Sequence, residues 1–388
     1  MIKPDQSGVS SRRPRTIRVL ITGGGTGGHL FPAIALAEEL VSRREWFDTV
    51  QVLFIGTRKG LEARILPTLN YDYRLIWIRG FQRGFSITAI LRNLLFPLRL
   101  MISVLQSAWI IGNFKPDLAI GTGGYTAGPP LFRARRRKIP FFIHEQNVFP
   151  GVTTRLLAGH AQRIYASFEA TRQYIQEAIF YGTPLRRSLR RVPREQALAF
   201  FDLNLEMPTI LIFGGSQGSR AMNAFCREYI QTIIDETNCQ CIWQTGQHDY
   251  EELRFEFSHE PRLHLTPFIH DMGIAYSAAD LAICRAGALT LAEICLYGLP
   301  SVLIPLPTAA GNHQEINARA LEKQAASVVI PQSHLNRETS VKTIVTVMND
   351  ETLRSGMAAQ AAQLARPDSA RLIIDDIIDY MDHHVWNE

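Results

Sequence analysis

Residues 21–40 read ITGGGTGGHLFPAIALAEEL and follow the β-branched run TIRVL. They place five glycines within six residues, between an apolar segment and an amphipathic one, which predicts a strand, a glycine loop and a helix. Gly23, Gly25 and Gly28 satisfy the spacing G-x-G-x-x-G. A bare backbone at a helix N-terminus lets a diphosphate or a sugar approach the amide groups. Because a tight turn needs fewer glycines, we interpret this segment as a ligand-binding loop.

Short β-branched runs alternate with amphipathic stretches along the chain, a pattern typical of parallel strands covered by helices on both faces. The pattern restarts at 208–225, PTILIFGGSQGSRAMNAF. We therefore predict an α/β fold with two Rossmann-like, doubly wound parallel-sheet domains that face each other across a cleft. The predicted segments are a disordered basic tail at 1–16, an N-terminal domain at 17–181, a C-terminal domain at 182–365 and a last helix at 366–388 that could pack back on the N-terminal domain.

The composition is that of a globular chain: of 388 residues, 46% are hydrophobic and 20% are charged. The five cysteines form no C-x-x-C pair and are odd in number, so we expect reduced thiols in a cytoplasm rather than a disulfide framework or a zinc site. Residues 1–181 hold 24 Lys+Arg against 11 Asp+Glu, whereas residues 182–388 hold 17 against 25. This asymmetry predicts that the N-terminal half faces an anionic partner.

A dinucleotide-binding domain is an alternative interpretation of the first glycine loop. Such a domain needs an acidic residue at the end of the second strand, where it holds a ribose. Here that strand ends Gly56-Thr57-Arg58, and Arg58 suits only the 2′-phosphate of NADP. An NADP reductase is therefore the weaker interpretation.

The motif HEQNVFPG at 144–151 follows a predicted buried strand directly. Its polar residues His144, Glu145 and Asn147 should lie at the carboxyl end of that strand, where the ligands of open parallel sheets collect. Polar residues often form simple turns, but this run at this edge favours a site.

Two polar groups of the second half allow more than one interpretation. Ser216 in the loop GGSQG could bind a phosphate or cap the next helix. Glu293 follows Thr290 by three residues, which fits a capping box or a carboxylate that accepts hydrogen bonds from a ribose diol.

Seven ordered segments resemble the MurG family of UDP-N-acetylglucosamine–N-acetylmuramyl-(pentapeptide) pyrophosphoryl-undecaprenol N-acetylglucosamine transferases. They are GGGTGGHLFPAIALA, GTGGYTAGP, HEQNVFPG, GGSQGSRAMN, FIHDM, RAGALTLAEICLYGLPSVLIP and NHQEINA. The resemblance implies a GT-B fold, with the acceptor on the N-terminal domain and UDP-GlcNAc mostly on the C-terminal one. It also implies transfer of GlcNAc to the 4-hydroxyl of MurNAc in lipid I, the undecaprenyl-diphospho-MurNAc-pentapeptide, with inversion, to form lipid II in peptidoglycan synthesis.

The resemblance also assigns residues of these motifs to the substrates. The residues expected to bind UDP-GlcNAc are Thr26, Gly27, Gly28, Asn147, Arg186, Ser216, Ile269, Ala288, Leu289, Thr290, Leu291, Ala292, Glu293 and Gln314. Those expected on the acceptor side are Tyr125, Thr126 and His144. Within the first set, Ser216 would bind the diphosphate, the backbone of Ile269 would read uracil, and Gln314 would contact the sugar hydroxyls.

An inverting transfer needs a base that takes the proton from the acceptor hydroxyl. His29 is our first candidate for this base and Glu145 our second. The sequence contains no D-x-D motif, so we predict no metal cofactor, and we predict no NAD. Helix N-termini, glycine amides and Arg186 should stabilise the leaving group instead. Two positions depart from the family pattern, since Thr183 replaces an asparagine and His270 an acidic residue.

Residues 85–111 are strongly apolar, but arginines, a proline and amides interrupt them, so we do not expect a membrane-spanning helix. Residues at helical spacing predict one buried core face, namely Leu91, Leu94, Leu98, Ile102, Leu105 and Trp109. The surplus apolar residues and nearby arginines predict that one end docks on an anionic leaflet. The basic run RARRRK at 133–138 lacks interleaved aromatics, which favours anionic lipid or lipid diphosphate over nucleic acid.

These features predict a peripheral enzyme on the cytoplasmic face of the plasma (inner) membrane. Its expected partners are UDP-GlcNAc, lipid I and an anionic membrane surface, with no nucleic acid, and proteins of cell-wall synthesis and division are further candidates. Two alternatives stay open. One is another GT-B UDP-sugar enzyme, either an epimerase or a transferase, and the other is a non-catalytic sensor that binds UDP-GlcNAc without turnover.

Overall fold

The computed structural model describes residues 16–80, 94–335 and 338–386. The strands of the first sheet are β1 (Thr16–Thr22), β2 (Thr49–Thr57), β3 (Asp72–Ile76), β4 (Leu118–Gly121), β5 (Phe141–Glu145), β6 (Arg163–Ala166) and β7 (Ile179–Phe180). Those of the second are β8 (Thr209–Phe213), β9 (Gln240–Gln244), β10 (Leu263–Thr266), β11 (Leu281–Cys284), β12 (Ser301–Leu303) and β13 (Ser327–Val329). Their orders are β3-β2-β1-β4-β5-β6-β7 and β10-β9-β8-β11-β12-β13, with neighbours parallel. The predicted fold class is confirmed.

Helices connect these strands. In the N-terminal half they are α1 (Gly27–Val41), α2 (Glu62–Ile65), α3 (Phe96–Phe114), α4 (Gly124–Arg136) and α5 (Val152–Leu157). In the C-terminal half they are α6 (Arg194–Phe200), α7 (Arg220–Thr237), α8 (Tyr250–Glu256), α9 (Met272–Ala278), α10 (Ala288–Leu296), α11 (His313–Glu322), α12 (Glu338–Asn349), α13 (Glu351–Leu364) and α14 (Ser369–Met381).

Strand β1 lies inside the first sheet, between β2 and β4. Ile17, Val19 and Ile21 pack on one face with residues of α1 and α14, and Leu20 packs on the other face. Because both faces are covered, a nearly continuous apolar run forms this strand, as in other parallel sheets. The strand therefore delivers the glycine loop at 23–28 to the carboxyl edge of the sheet.

The last helix, α14, returns to the N-terminal half. Its buried apolar residues pack with those of α1 and β1, and they are Ile373, Ile374, Ile377, Ile378 and Met381. Tyr165 on β6 donates a hydrogen bond of 2.7 Å to Asp376 Oδ2 on this helix. The chain passes between the halves near Gly182 and Arg366, which lie so close that a Cβ on Gly182 would be 2.4 Å from the Cβ of Arg366.

Helix α3 turns outward the face that the sequence predicted to be buried. Four residues of that face are exposed, namely Leu94, Leu98, Leu105 and Trp109, while Ile102 is half-buried and Leu91 lies outside the described residues. The helix instead buries Ser103, Ser107, Ile110 and Ile111. The hydroxyls of Ser103 and Ser107 donate to backbone carbonyls of the preceding turn, each at 2.7 Å, which satisfies these polar groups inside. The periodicity marked a helix, but it did not reveal which side meets the protein.

Within the described ranges, no helix has the length and apolar character to cross a membrane. The predicted basic tail at 1–16 lies outside the described residues except for its last residue, Thr16, which begins β1. The first part of the apolar segment 85–111, up to residue 93, also lies outside them.

Candidate active site

The loops after the strands of the two sheets border one cleft. Helices α1 and α10, which begin after β1 and β11, contact each other across it. Arg186, in the segment that joins the two halves, places its guanidinium 3.9 Å from the centre of the Phe31 ring on α1. The motifs that the sequence singled out in both halves therefore meet in one region.

Three glycines of the first loop are needed for packing. A Cβ on Gly23 would lie 1.8 Å from Thr122 Oγ1, and one on Gly24 would lie 2.5 Å from the Glu62 carboxylate. Gly25 has a φ of +90°, which residues with a side chain rarely adopt. The number of glycines is thus weaker evidence for a ligand than the sequence suggested, because the fold itself explains these three.

The start of α1 is the open part of this loop. Thr26 is the N-cap residue of α1, and its exposed side chain accepts no hydrogen bond from a backbone amide among the described residues of the helix. A Cβ on Gly28 would meet only Thr26 Oγ1, at 3.8 Å. Since the amides of a helix N-terminus attract anions and polar groups, Thr26, Gly27 and Gly28 form the side on which a ligand can approach.

Glu62 at the start of α2 fixes the closed side of the loop. Its carboxylate is fully buried and accepts hydrogen bonds from the Gly25 amide at 2.9 Å and from the amide and hydroxyl of Thr57 at 3.0 and 2.9 Å. Glu62 could not be recognised from the sequence, because its three-dimensional partners belong to no motif that spacing reveals. The Gly25 amide is therefore already bound to a carboxylate.

A chain of hydrogen bonds fixes the proton of His29. Its Nδ1 lies 2.9 Å from Thr122 O and 2.8 Å from Gln146 Oε1. Both partners are acceptors, so Nδ1 carries the hydrogen and the lone pair is on Nε2. Gln146 Nε2 lies 2.9 Å from His144 Nδ1, and His144 Nε2 lies 2.9 Å from Gly182 O. The order Gly182–His144–Gln146–His29 thus leaves His29 Nε2 able to accept a proton.

Two of the three expected acceptor-side residues cannot contact a substrate in this structure, because His144 and Thr126 are fully buried. Burial lowers the pKa of His144 to about 4, which keeps the ring neutral and able to accept the hydrogen bond of Gln146. His144 is therefore a positioning residue. Tyr125 is partly exposed, and its ring packs on Gly25, where a Cβ would lie 2.9 Å from it.

Glu145, the second candidate base, is buried and fully engaged. Its Oε1 accepts from the Asn147 amide at 3.0 Å, and its Oε2 accepts from Gly151 N at 3.0 Å and Thr154 Oγ1 at 2.6 Å. These contacts hold the loop after β5 and the start of α5. They favour a positioning role for Glu145 over proton transfer, because its lone pairs face the protein.

Asn317 on α11 ties the HEQN loop to the C-terminal half. Its side chain is fully buried, donates a hydrogen bond of 3.1 Å to Asn147 Oδ1 and accepts one of 3.1 Å from Val148 N. The Asn147 carboxamide also donates to Glu145 Oε1 at 3.2 Å, so one of its N–H groups remains to contact a sugar. Asn317 belongs to the motif NHQEINA, whose spacing does not reveal this link between the halves.

Ser216 is exposed in the second glycine loop and does not cap the following helix. The N-cap residue of α7 is Ser219, whose hydroxyl accepts from Met222 N at 3.4 Å. The alternative in which Ser216 caps the helix is therefore wrong, and its hydroxyl remains exposed beside the cleft.

Arg285 at the end of β11 is a buried cation behind this loop. Its guanidinium donates to Ser219 Oγ at 2.6 Å, to Gln332 Oε1 at 2.6 Å and to Ile304 O at 3.0 Å. Burial lowers the pKa of Arg285, and no carboxylate of the described ranges pairs with it. Its charge therefore gives the loop a positive potential. Arg285 begins the motif RAGALTLAEICLYGLPSVLIP, but the sequence predicts no role for it.

Glu293 on α10 is 6% exposed, and its Oε2 accepts a hydrogen bond of 2.8 Å from the Tyr276 hydroxyl, which leaves Oε1 for a ligand. Burial raises the pKa of Glu293. The capping-box alternative is wrong, because α10 begins with Gly287 as its N-cap and Thr290 lies inside the helix. Three residues of the run at 288–292, namely Ala288, Leu291 and Ala292, line a separate cavity of about 280 Å³ between the halves, and Leu291 also packs in the core.

The sequence matches both domains of glycosyltransferase family 28, the N-terminal domain over residues 19–166 and the C-terminal domain over residues 209–373. It is 39% identical to the UDP-N-acetylglucosamine–N-acetylmuramyl-(pentapeptide) pyrophosphoryl-undecaprenol N-acetylglucosamine transferase of Acetivibrio thermocellus, over 94% of this chain and 98% of the relative. The transferase of the same name in Salinibacter ruber is 37% identical, over 98% of this chain and 100% of the relative. The chain belongs to the MurG family.

Solved structures agree with membership of the MurG family. Acinetobacter baumannii MurG is 30% identical with a TM-score of 0.72, and the match covers 94% of this chain and 99% of that one. CalG4, the calicheamicin glycosyltransferase, is 14% identical with a TM-score of 0.68 over 96% of this chain and 100% of that one, a likeness of fold alone. The GT-B arrangement expected from the sequence is thereby confirmed.

Two further residues of the MurG pattern use part of their hydrogen-bonding capacity inside the protein. The Ile269 amide donates to Gln244 Oε1 at 3.0 Å, so its carbonyl is the group left to contact a base. Gln314 Oε1 accepts from Leu306 N at 2.9 Å, which leaves its amide hydrogens for a sugar.

Proposed function

We propose that this chain transfers GlcNAc from UDP-GlcNAc to lipid I and so forms lipid II in peptidoglycan synthesis. The observation that carries the proposal is the 39% identity to a transferase of this name over 94% of the chain. Sequence identity of this extent covers both domains and the loops between them. The hydrogen-bond chain that ends at His29 supports the same chemistry, because it prepares a base in the cleft.

His29 is the base in this proposal. Its Nε2 takes the proton from the 4-hydroxyl of MurNAc while that oxygen attacks the anomeric carbon of GlcNAc. The bond from this carbon to the UDP oxygen breaks on the opposite face, so the configuration inverts. Thr122 O and Gln146 Oε1 keep the ring oriented and stabilise the imidazolium that forms, since Nδ1–H already points at them.

Positive charge and free amides stabilise the leaving diphosphate. Arg186 supplies a guanidinium beside α1, and Arg285 supplies a buried charge behind the second glycine loop. Ser216 offers its exposed hydroxyl, and the N-terminus of α10 offers amides with a favourable dipole. Glu293, oriented by the Tyr276 hydroxyl, accepts hydrogen bonds from the ribose hydroxyls.

The outward face of α3 is the proposed membrane contact. The exposed apolar residues of this face are Leu98, Leu100, Met101, Leu105 and Trp109, and Leu94 and Leu95 just before the helix are exposed as well. Helix α4 packs on α3 and ends in the basic run 133–138. Apolar side chains beside clustered cations suit an anionic leaflet. They support a peripheral location on the cytoplasmic face of the plasma membrane, where lipid I would be reached.

Vesicle sedimentation tests this contact. Trp109→Glu should weaken binding to vesicles of phosphatidylglycerol and phosphatidylcholine. Phe255→Glu should not, because Phe255 is an even more exposed aromatic residue on α8 of the other half. Equal binding by the two variants would contradict the proposed contact.

The transfer itself is tested with labelled UDP-GlcNAc and a soluble, short-chain analogue of lipid I. We expect a disaccharide product from the wild type and a raised KM for UDP-GlcNAc in Glu293→Gln, with the exposed Glu251→Gln as the matched control. Donor binding without turnover would contradict the proposal and favour a sensor. Isomerised UDP-sugar in the absence of acceptor would contradict it and favour an epimerase.

A further inference from the structure

A second concave site lies in the N-terminal half, apart from the nucleotide-binding loops. Its volume is about 210 Å³, and the residues that line it are Arg58, Lys59, Ile76, Trp77, Ile78, Arg79 and Arg99. Four of these seven residues are cations and none is acidic. The site therefore combines an apolar wall with a concentrated positive charge.

Three of the four cations of this pocket have no acidic partner among the described residues. Among the described residues, Arg58, Lys59 and Arg79 form no ion pair. The Arg99 guanidinium lies over Trp77, 5.7 Å from the ring centre. Cations held together repel one another, so an anion with more than one charge is stabilised strongly between them.

The pocket lies between the membrane-facing helix and the candidate active site. Arg99 belongs to α3, whose outward apolar face lies beside it. Arg79 is followed by Gly80, which packs so closely on the Tyr125 ring that a Cβ there would lie 2.9 Å from it. The Tyr125 ring also packs on Gly25 of the first glycine loop, where a Cβ on Gly25 would lie 2.9 Å from the ring. A polyprenyl-linked sugar must place its diphosphate between these same two regions.

The closed side of the first glycine loop, at Gly25, is poorly suited to that diphosphate. Its Gly25 amide is bound to Glu62, and this buried carboxylate adds negative charge directly behind the loop. A diphosphate placed there would meet a like charge, whereas the neighbouring pocket offers four cations.

We infer that the pocket of Arg58, Lys59, Arg79 and Arg99 binds the diphosphate of the polyprenyl-linked acceptor. The inference rests on the proposed function for the identity of the acceptor. Binding there would direct the polyprenyl chain along α3 toward the leaflet and the sugar toward His29. The pocket is therefore a specificity site for diphosphate-linked acceptors.

Equilibrium binding of farnesyl diphosphate to the full chain tests the pocket without any transfer reaction. The test variant is Arg58→Gln/Lys59→Gln, whose side chains are exposed and make no described ion pair. The matched control is Arg254→Gln/Lys342→Gln, which removes two exposed cations of the C-terminal half, on α8 and α12. We expect titration calorimetry to show about a tenfold or larger loss of affinity in the test variant, as for a lost charge-assisted contact, and little change in the control.

Three further measurements separate the explanations. In transfer assays with a soluble lipid I analogue, the test variant should raise the acceptor KM and leave the donor KM unchanged. If the test variant keeps its farnesyl diphosphate affinity and acceptor KM but loses binding to phosphatidylglycerol vesicles, the inference is overturned and the pocket binds phospholipid headgroups.

Two other outcomes distinguish the pocket from the proposed function. A wild-type chain that binds farnesyl diphosphate but transfers no sugar would overturn the proposed function. Equal acceptor KM values in the test and control variants would overturn only the assignment of the pocket.

Discussion

Gln146 Oε1 lies 2.8 Å from His29 Nδ1, and this contact joins two motifs that are 117 residues apart. It makes the HEQN segment a support of the first glycine loop. The Gln146 amide also donates to His144 Nδ1, which fixes the orientation of the carboxamide. Together with Thr122 O, its oxygen determines which nitrogen of His29 carries the hydrogen.

Gln146→Glu should move the acidic limb of the pH–rate profile to higher pH, because a carboxylate beside Nδ1 stabilises the protonated ring. Gln146→Leu should instead lower kcat by about 10- to 100-fold with little change in donor KM, since the ring loses one orienting acceptor and keeps Thr122 O. The measurement is kcat/KM from about pH 5.5 to 9. An acidic limb that stays in place in Gln146→Glu would contradict the arrangement.

Asn317→Ala should loosen the HEQN loop, because the buried Val148 amide loses its acceptor and Asn147 loses a donor. We expect a loss of about 1–3 kcal/mol in the free energy of unfolding and faster hydrogen exchange across residues 146–151. Asn317→Asp is the matched control for Val148, since it keeps the acceptor. If hydrogen exchange at Val148 is as slow in Asn317→Ala as in Asn317→Asp, the proposed link is wrong.

Gly124→Ala should destabilise the chain and reduce transfer. Gly124 has a φ of +74°, and a Cβ there would lie 2.5 Å from Gly24 O and 3.2 Å from His29 Cδ2. The left-handed conformation alone costs about 1–2 kcal/mol for a residue with a side chain. Gly128→Ala on the same helix is the control, because its nearest atoms are 3.8 Å away. Equal unfolding midpoints and activities in the two variants would refute the close packing of the loops.

The stability of the chain should fall as the pH drops from about 6.5 to about 4. Burial lowers the pKa of His144 to about 4 in the folded chain, whereas the imidazole of the unfolded chain keeps its ordinary pKa of about 6.5. As the pH falls, the unfolded chain therefore binds a proton at His144 before the folded chain does. The contribution of the neutral ring to stability is fully present above pH 6.5 and is lost between pH 6.5 and pH 4. The loss should reach about 3 kcal/mol for this one group. Urea unfolding of wild type and His144→Gln across this range measures it, and the variant should show the smaller slope. Identical slopes would mean that His144 titrates normally in the folded chain.

The sequence predicted the sheets well, because apolar runs such as β1 are buried on both faces and are recognisable locally. The order of strands and loops also predicted that His29 and the HEQN segment lie at the same edge of the first sheet. It did not predict which face of α3 is buried, because leucines and serines repeat with the same helical period. Ser219 rather than Ser216 caps α7, since the turn is three residues longer than the motif suggests. Glu62 and Asn317 were missed because their partners are distant in sequence.

The most direct test of the central claim is the turnover of His29→Gln compared with wild type, with labelled UDP-GlcNAc and the soluble lipid I analogue. We predict that the wild type forms the disaccharide and that His29→Gln loses about 100- to 10,000-fold in kcat while it binds UDP-GlcNAc with unchanged affinity. Turnover of His29→Gln within about threefold of the wild type would contradict the assignment of His29 as the base.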